Sequence, residues 1–251
     1  MKKFVSILLV ICTLLALCGC SKDSNDEEDN VSSTVEGKGF KSPEKAILAY
    51  AEALQSGDVK KILSTFAMET YVENLDMEEY LHQVSSYVIS MGLVSDDDYS
   101  REIRLVQRQY DIARQFGYLY INHTEAGFSE NGQPVSIREE YETADKFIDA
   151  MTAEDWAEIL EEMEIGDVLE DKDIIPDKLT EGYYDNLERL ADRYGCDEIV
   201  PLAVEITLDG EDYYLCVNVA NYDGTWYNLA PMGMIGTMLG VDSMSCGLVE
   251  R

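Results

Sequence analysis

Histidine is nearly missing from this sequence: 251 residues hold only two, His82 and His123. They stand far apart on unlike segments, so chemistry built on a histidine base has almost nothing to work with. Both read as ordinary surface or capping residues. Zinc needs three or four nitrogen, sulfur or oxygen ligands, and neither His-x-x-x-His nor Cys-x-x-Cys occurs. A glycine-rich phosphate loop and a Gly-x-Ser-x-Gly element are missing as well. Positive charge is scarce, with 19 Lys and Arg against 50 Asp and Glu and a formal net charge of −31. Such a surface repels nucleic acid and anionic lipid headgroups, so no nucleic-acid partner is expected. Beyond the first twenty residues no apolar run is long enough to cross a bilayer. Disorder throughout is excluded by a hydrophobic content of 46%, which is enough for one large domain or two small ones.

What is present begins at the N-terminus. Lys2 and Lys3 precede an apolar stretch from Phe4 to Leu17, and small residues follow. That is the three-zone pattern of a signal peptide, with an apolar part shorter than the roughly 20 residues a spanning helix needs. Leu17-Cys18-Gly19-Cys20 resembles the lipobox of bacterial lipoproteins, although Cys18 stands where Ala or Ser is commoner. The resemblance implies removal of residues 1–19, diacylglycerol on Cys20, and a protein held by that lipid at the outer, extracytoplasmic face of the cell membrane. Residues 20–40 then read as the lipidated cysteine and an acidic tether. As a flexible chain of about 20 residues it would hold the rest on the order of 25 Å from the lipid. Residues 41–251 read as a single α+β domain.

Ser42-Pro43-Glu44 is a helix start, with an N-cap, a proline at the first helical position and an acid in the first turn. Ile47, Tyr50 and Leu54 recur at helical spacing until Gly57, and Asp58 caps a second helix through Val59, Ile62, Leu63 and Phe66. Between about 77 and 195 the pattern stays helical, an expected helical insertion. Tyr80, Val84, Tyr87 and Val88 form one stripe, and Ile103, Val106, Tyr110 and Ala113 another. Ser95-Asp96-Asp97-Asp98 is suited to capping the second of these helices, whose Arg101, Arg104, Arg108 and Arg114 are expected to pair with neighbouring carboxylates. Ser129 to Ser136 reads as a loop. Thr152 and Asp155 resemble a capping box leading into Trp156, Ile159, Leu160 and Met163, and a further helix spans about Glu181 to Tyr194.

After Gly195 the period changes to two. Leu202, Val204, Ile206 and Leu208 alternate, Asp209-Gly210 turns into Tyr213, Leu215, Val217 and Val219, and Asp223-Gly224 turns again into Thr225-Trp226-Tyr227-Asn228-Leu229. A C-terminal three-stranded antiparallel meander is expected, with a short helix within Pro231 to Cys246 covering one end of it. The opening Ser-Pro-Glu-Lys-Ala with Gln55-Ser56-Gly57-Asp58, and the closing Tyr222-Asp223-Gly224-Thr225-Trp226-Tyr227, resemble the first helical hairpin and last strand hairpin of nuclear transport factor 2-like domains. That resemblance implies a cone-shaped α+β fold. Through Asp155-Trp156, Tyr194-Gly195 and Asp223-Gly224-Thr225-Trp226-Tyr227 the chain also resembles uncharacterised lipoproteins of anaerobic Gram-positive bacteria, which implies no activity.

Carboxylates are too plentiful for an acid pair to stand out. Asp171-Lys172-Asp173 lacks the glycine and terminal glutamate of an EF-hand loop, so no metal and no cofactor are expected. Cys196, Cys216 and Cys246 allow at most one disulfide, with three pairings open. No catalytic set assembles from these residues. The leading expectation is a non-catalytic binding or interaction module that takes a small ligand, a peptide or an envelope protein. Tyrosines outnumber phenylalanines 16 to 6, and Tyr50, Tyr214, Trp226 and Tyr227 are the candidate binding surface, because their rings are apolar and their edges polar. A hydrolase or isomerase using carboxylates in a cone-shaped pocket is the second expectation, and a structural envelope protein the third.

Overall fold

The computed structural model describes residues 35–85, 97–123, 160–176, 182–240 and 245–251. The chain divides into Met1–Ser33 and Thr34–Arg251, and every described residue belongs to the second unit. The leader, Cys20, Tyr87, Val88, the loop at 129–136 and the capping box at Thr152 lie outside the described residues.

The first helices form for local reasons. In α1, Pro43–Gln55, the Ser42 side chain accepts from the Lys45 amide and Ala46, Ile47, Tyr50, Ala51, Ala53 and Leu54 are buried. In α2, Val59–Leu63, Asp58 accepts from the Lys61 amide. Phe66 lies past the end of α2, bridged to Asn228, and is buried all the same. The folded unit starts before residue 41: Gly37 donates its amide to the Ser64 carbonyl, Phe40 bridges to Trp226, and Val35 packs on the core. The residues from Val35 to Phe40 are therefore a strap on the domain and not part of the tether.

Helices α3, Glu69–Asn74, α4, Met77–Ser85, and α5, Asp98–His123, follow. Asp97 caps α5 by accepting from the Ser100 amide at 2.8 Å. Its expected apolar stripe faces outward: Ile103 is 51% and Val106 50% exposed, and only Ala113 of the four is buried. The buried face runs through Ile112, Phe116 and Leu119, with Leu105 packed against the core. Two stripes compete on this helix, and its rotation is set by Phe116, whose ring lies against Tyr50 and Phe66 at centroid distances of 6.0 and 6.3 Å.

The sheet has five strands in the order β1-β2-β3-β4, with β5 also paired to β3. β1 spans Glu164–Glu170, β2 Glu198–Leu208, β3 Glu211–Tyr222, β4 Thr225–Pro231 and β5 Leu248–Glu250, all pairings being antiparallel. β1 corrects the uninterrupted helical reading of 77–195. Leu160 and Met163 keep a helical rhythm up to its first residue, and its own alternation is hidden by charge on an exposed edge with a bulge between Ile165 and Val168, features by which edge strands avoid unwanted pairing. Both hairpin turns are as expected: Asp209 and Gly210, and Asp223 and Gly224, take positive φ at both central positions, the twist that matches the flanking strands.

Each face of the sheet is covered. Leu202, Val204, Ile206 and Leu208 of β2 and Leu215, Val217 and Val219 of β3 share a cluster with α1. On the opposite face Ile199, Ala220, Tyr222, Tyr227 and Leu229 pack with Tyr183, Leu187 and Ala191 of α7, Tyr183–Tyr194. The short α6, Asp171–Ile174, leads to Ile175, which joins Ala203, Cys216 and Ile235 in a third cluster. Ile235 comes from α8, Gly233–Leu239, the expected short helix over the sheet. Each large apolar side chain so buried contributes roughly 1.5–3 kcal/mol. The result is an α+β fold on an antiparallel sheet. Among the described residues no helix is long and apolar enough to cross a membrane.

Candidate functional site

The candidate surface of Tyr50, Tyr214, Trp226 and Tyr227 is not one surface. Tyr50 is fully buried beneath the sheet, its hydroxyl 3.6 Å from the Cys246 sulfur. Trp226 packs against the same cluster, but Tyr227 belongs to the cluster on the other face and Tyr214 to the third. Strand parity is the reason: Trp226 and Tyr227 are adjacent, so their side chains leave β4 on opposite faces. Arg251 covers the Tyr214 ring, its Cζ 5.1 Å from the centroid.

A different constellation stands where α3, α5, α7 and the β3–β4 hairpin meet. Arg108, on the inward side of α5, donates through Nε to the Ala67 carbonyl at 3.2 Å and through Nη2 to the Leu229 carbonyl. Its Cζ lies 4.2 Å from the centroid of Tyr71. Tyr71 in turn meets Tyr194, centroids 5.2 Å apart, and Arg193 lies over the Tyr194 ring at 5.9 Å. The other α5 arginines behave as expected where an ion pair is seen, Arg101 with Asp98 at 3.3 Å and Arg114 with Asp111 at 3.5 Å. Among the described residues Arg108 makes no ion pair, although the Asp111 charge acts on it.

Burial shapes the electrostatics of this corner. It lowers the pKa of Arg108, which nonetheless stays charged at neutral pH. It pushes the Tyr71 hydroxyl up to about 12 and raises that of Tyr222 further. The Cys196 thiol, beside Tyr222, is also pushed up to about 12 by burial. The tyrosines are therefore neutral hydrogen-bonding groups, and Cys196 is no thiolate nucleophile. Tyr222 is only 6% exposed, and its hydroxyl has no hydrogen-bond partner among the described residues. The corner can hold and orient an acceptor group. Among the described residues it brings no nucleophile and base into contact.

A second cluster binds the strap to the domain. Glu36 accepts from the amides of Met68 and Thr70 and from the Thr70 hydroxyl, which satisfies the free donors at the start of α3. Glu69 is next to it in space, and burial, with the Glu36 charge adding to it, raises its pKa.

With this geometry in view, comparison with known proteins adds little. No family model matches the chain, and no curated protein matches it. Among solved structures it is similar to a cystatin-like protein from Ruminococcus gnavus, at a TM-score of 0.48 and 14% identity, over 74% of this chain and 39% of that one. The chain thus spans about two fifths of that protein's length, and a likeness of this size carries no argument about function.

Arg108, expected to pair with a neighbouring carboxylate, instead donates to two backbone carbonyls, with the Asp111 charge acting on it without an ion pair. One signal was available: Leu105, Arg108, Ile112, Phe116 and Leu119 follow the helical period as well as the outward stripe does. Among the described residues no group of three or more His, Cys, Asp or Glu is placed to hold a metal ion, and Cys196, Cys216 and Cys246 are free thiols.

Proposed function

We propose that the protein is a lipid-anchored, extracytoplasmic binding module, non-catalytic, whose ligand seats at the corner of Arg108, Tyr71, Tyr194 and Tyr222. The observation that carries the binding reading is the half-buried guanidinium of Arg108, set over the Tyr71 ring with no ion-pair partner among the described residues. In a chain of net charge −31, this half-buried cation is tied to two backbone carbonyls and still has N–H donors left for an incoming acceptor. Retention of such a group fits a role in recognition. A nuclear transport factor 2-like cone is compatible with this reading, supported by α1 packed across one face of an antiparallel sheet that contains the Asp223-Gly224 hairpin.

The anchor rests on Leu17-Cys18-Gly19-Cys20. Cells fed labelled palmitate should yield a labelled, membrane-associated protein, and Cys20→Ala should lose both label and membrane association. Label retained in that variant would defeat the assignment. For the binding half, native mass spectrometry of the membrane-extracted protein should show a small molecule that is lost from Tyr71→Ala/Tyr194→Ala. Release of that molecule in a chemically altered form would overturn the non-catalytic reading.

A further inference from the structure

The geometry points to a carboxylate as the group that Arg108 and Tyr222 recognise, an inference that rests on the corner being a binding site. A guanidinium has five N–H donors in a fixed plane. Arg108 spends two of its groups on the Ala67 and Leu229 carbonyls, which lock the plane in place without neutralising it. The remaining N–H donors have no acceptor among the described residues.

A hydroxyl within electrostatic reach of Arg108 is left unsatisfied. The Tyr222 hydroxyl is buried and has no hydrogen-bond partner among the described residues, it interacts electrostatically with Arg108, Tyr71 and Tyr194, and its ring is held edge-on to Tyr227 at 6.4 Å. A buried polar group left unpaired is costly, so such a hydroxyl, within electrostatic reach of a guanidinium with N–H donors to spare, marks a place where an acceptor belongs. A carboxylate satisfies both requirements: one negative charge and two coplanar oxygens for the guanidinium fork, with lone pairs left for a phenol donor. The half-buried ring of Tyr71 under the guanidinium, with Tyr194 against it, gives the site a further preference for a carboxylate attached to a flat or cyclic apolar group. Nothing covalent is required, and the ligand leaves as it arrived.

The test uses the lipid-anchored full chain in detergent and simple probes: benzoate, its neutral analogue benzamide, acetate and inorganic phosphate, followed by heteronuclear NMR of the Tyr71, Arg108 and Tyr194 amides. Benzoate should shift these amides saturably and acetate more weakly, and benzamide should bind at least about tenfold less well, as expected for loss of a charge-assisted hydrogen bond. Tyr222→Phe should fold unchanged, since it removes a hydroxyl with no partner, yet weaken benzoate several-fold. Arg108→Gln should abolish benzoate binding, and because it disturbs packing, Tyr222→Phe decides the matter if that variant fails to fold. Equal binding of benzoate and benzamide at these amides, or tighter binding of phosphate, would overturn the carboxylate inference and leave the corner as a binding site. Failure of every probe to move them would sink both.

Discussion

Arg108 lies over the ring of Tyr71, 4.2 Å from its centroid, while the same side chain donates to the carbonyls of Ala67 and Leu229. One side chain thereby joins α5 to α3, to the segment between α2 and α3, and to the end of β4. It is a structural tie as well as a half-buried cation of the corner.

Arg108→Ala should accordingly destabilise the domain by about 2–4 kcal/mol, since two carbonyls lose their donor and a desolvated cation–π contact is lost. Chemical denaturation monitored by tyrosine and tryptophan fluorescence checks it. A change near zero would mean the guanidinium contributes nothing net to stability.

Asn228 is fully buried in β4 and donates through Nδ2 to the Ala46 carbonyl at 2.8 Å and the Thr65 carbonyl at 3.1 Å. Asn228→Ala should cost about 1–3 kcal/mol for the lost bonds. Asn228→Asp should cost more, because it sets an acceptor against two acceptors inside the core. The order of the two midpoints in urea is the readout.

Glu69 gives a pH-dependent prediction. Its folded pKa is raised above the ordinary 4.5, by burial first and by Glu36 second, so the folded state holds this proton more tightly than the unfolded chain. The stability it supports is complete below its unfolded value and is lost as pH rises through the folded value. Glu69→Gln should therefore raise the melting temperature at pH 7 and change it little at pH 4. An equal shift at both would show that the carboxyl's ionisation is not responsible.

Burial pushes the thiols of Cys196, Cys216 and Cys246 each up to about 12, which suppresses the reactive thiolate. At pH 8 the folded protein should react with a thiol reagent far more slowly than the unfolded protein, which should release three equivalents beyond any at the N-terminal region. Rapid labelling of native Cys216 or Cys246 would contradict the packing described.

Gly195 closes α7 at φ +61, and a Cβ there would stand 1.9 Å from the Asn74 carbonyl oxygen. Gly195→Ala should cost about 1–3 kcal/mol, through the left-handed backbone and through separation of α7 from the end of α3. Because Tyr194 precedes it, the same variant should also disturb the Tyr71–Tyr194 contact, visible in the near-ultraviolet circular dichroism.

What could be read without coordinates was whatever neighbouring residues decide among themselves. The Ser42 and Asp58 caps, the Asp209-Gly210 and Asp223-Gly224 turns, the alternation in β2 and β3 and the short helix after Pro231 all follow from contacts within a few residues. Three matters were settled only by contacts far apart in the chain. β1 is a strand because β2 offers it an edge at Thr207 to Leu202, a partner that Glu164–Glu170 cannot announce. The side of α5 that faces inward is chosen by Phe116 against Tyr50 and Phe66, since both stripes fit the helical period. The aromatic candidates fell on separate clusters, and Arg108 met Tyr71, Tyr194 and Tyr222, because a site is made of elements that touch in space, and local propensity carries no term for which elements those are.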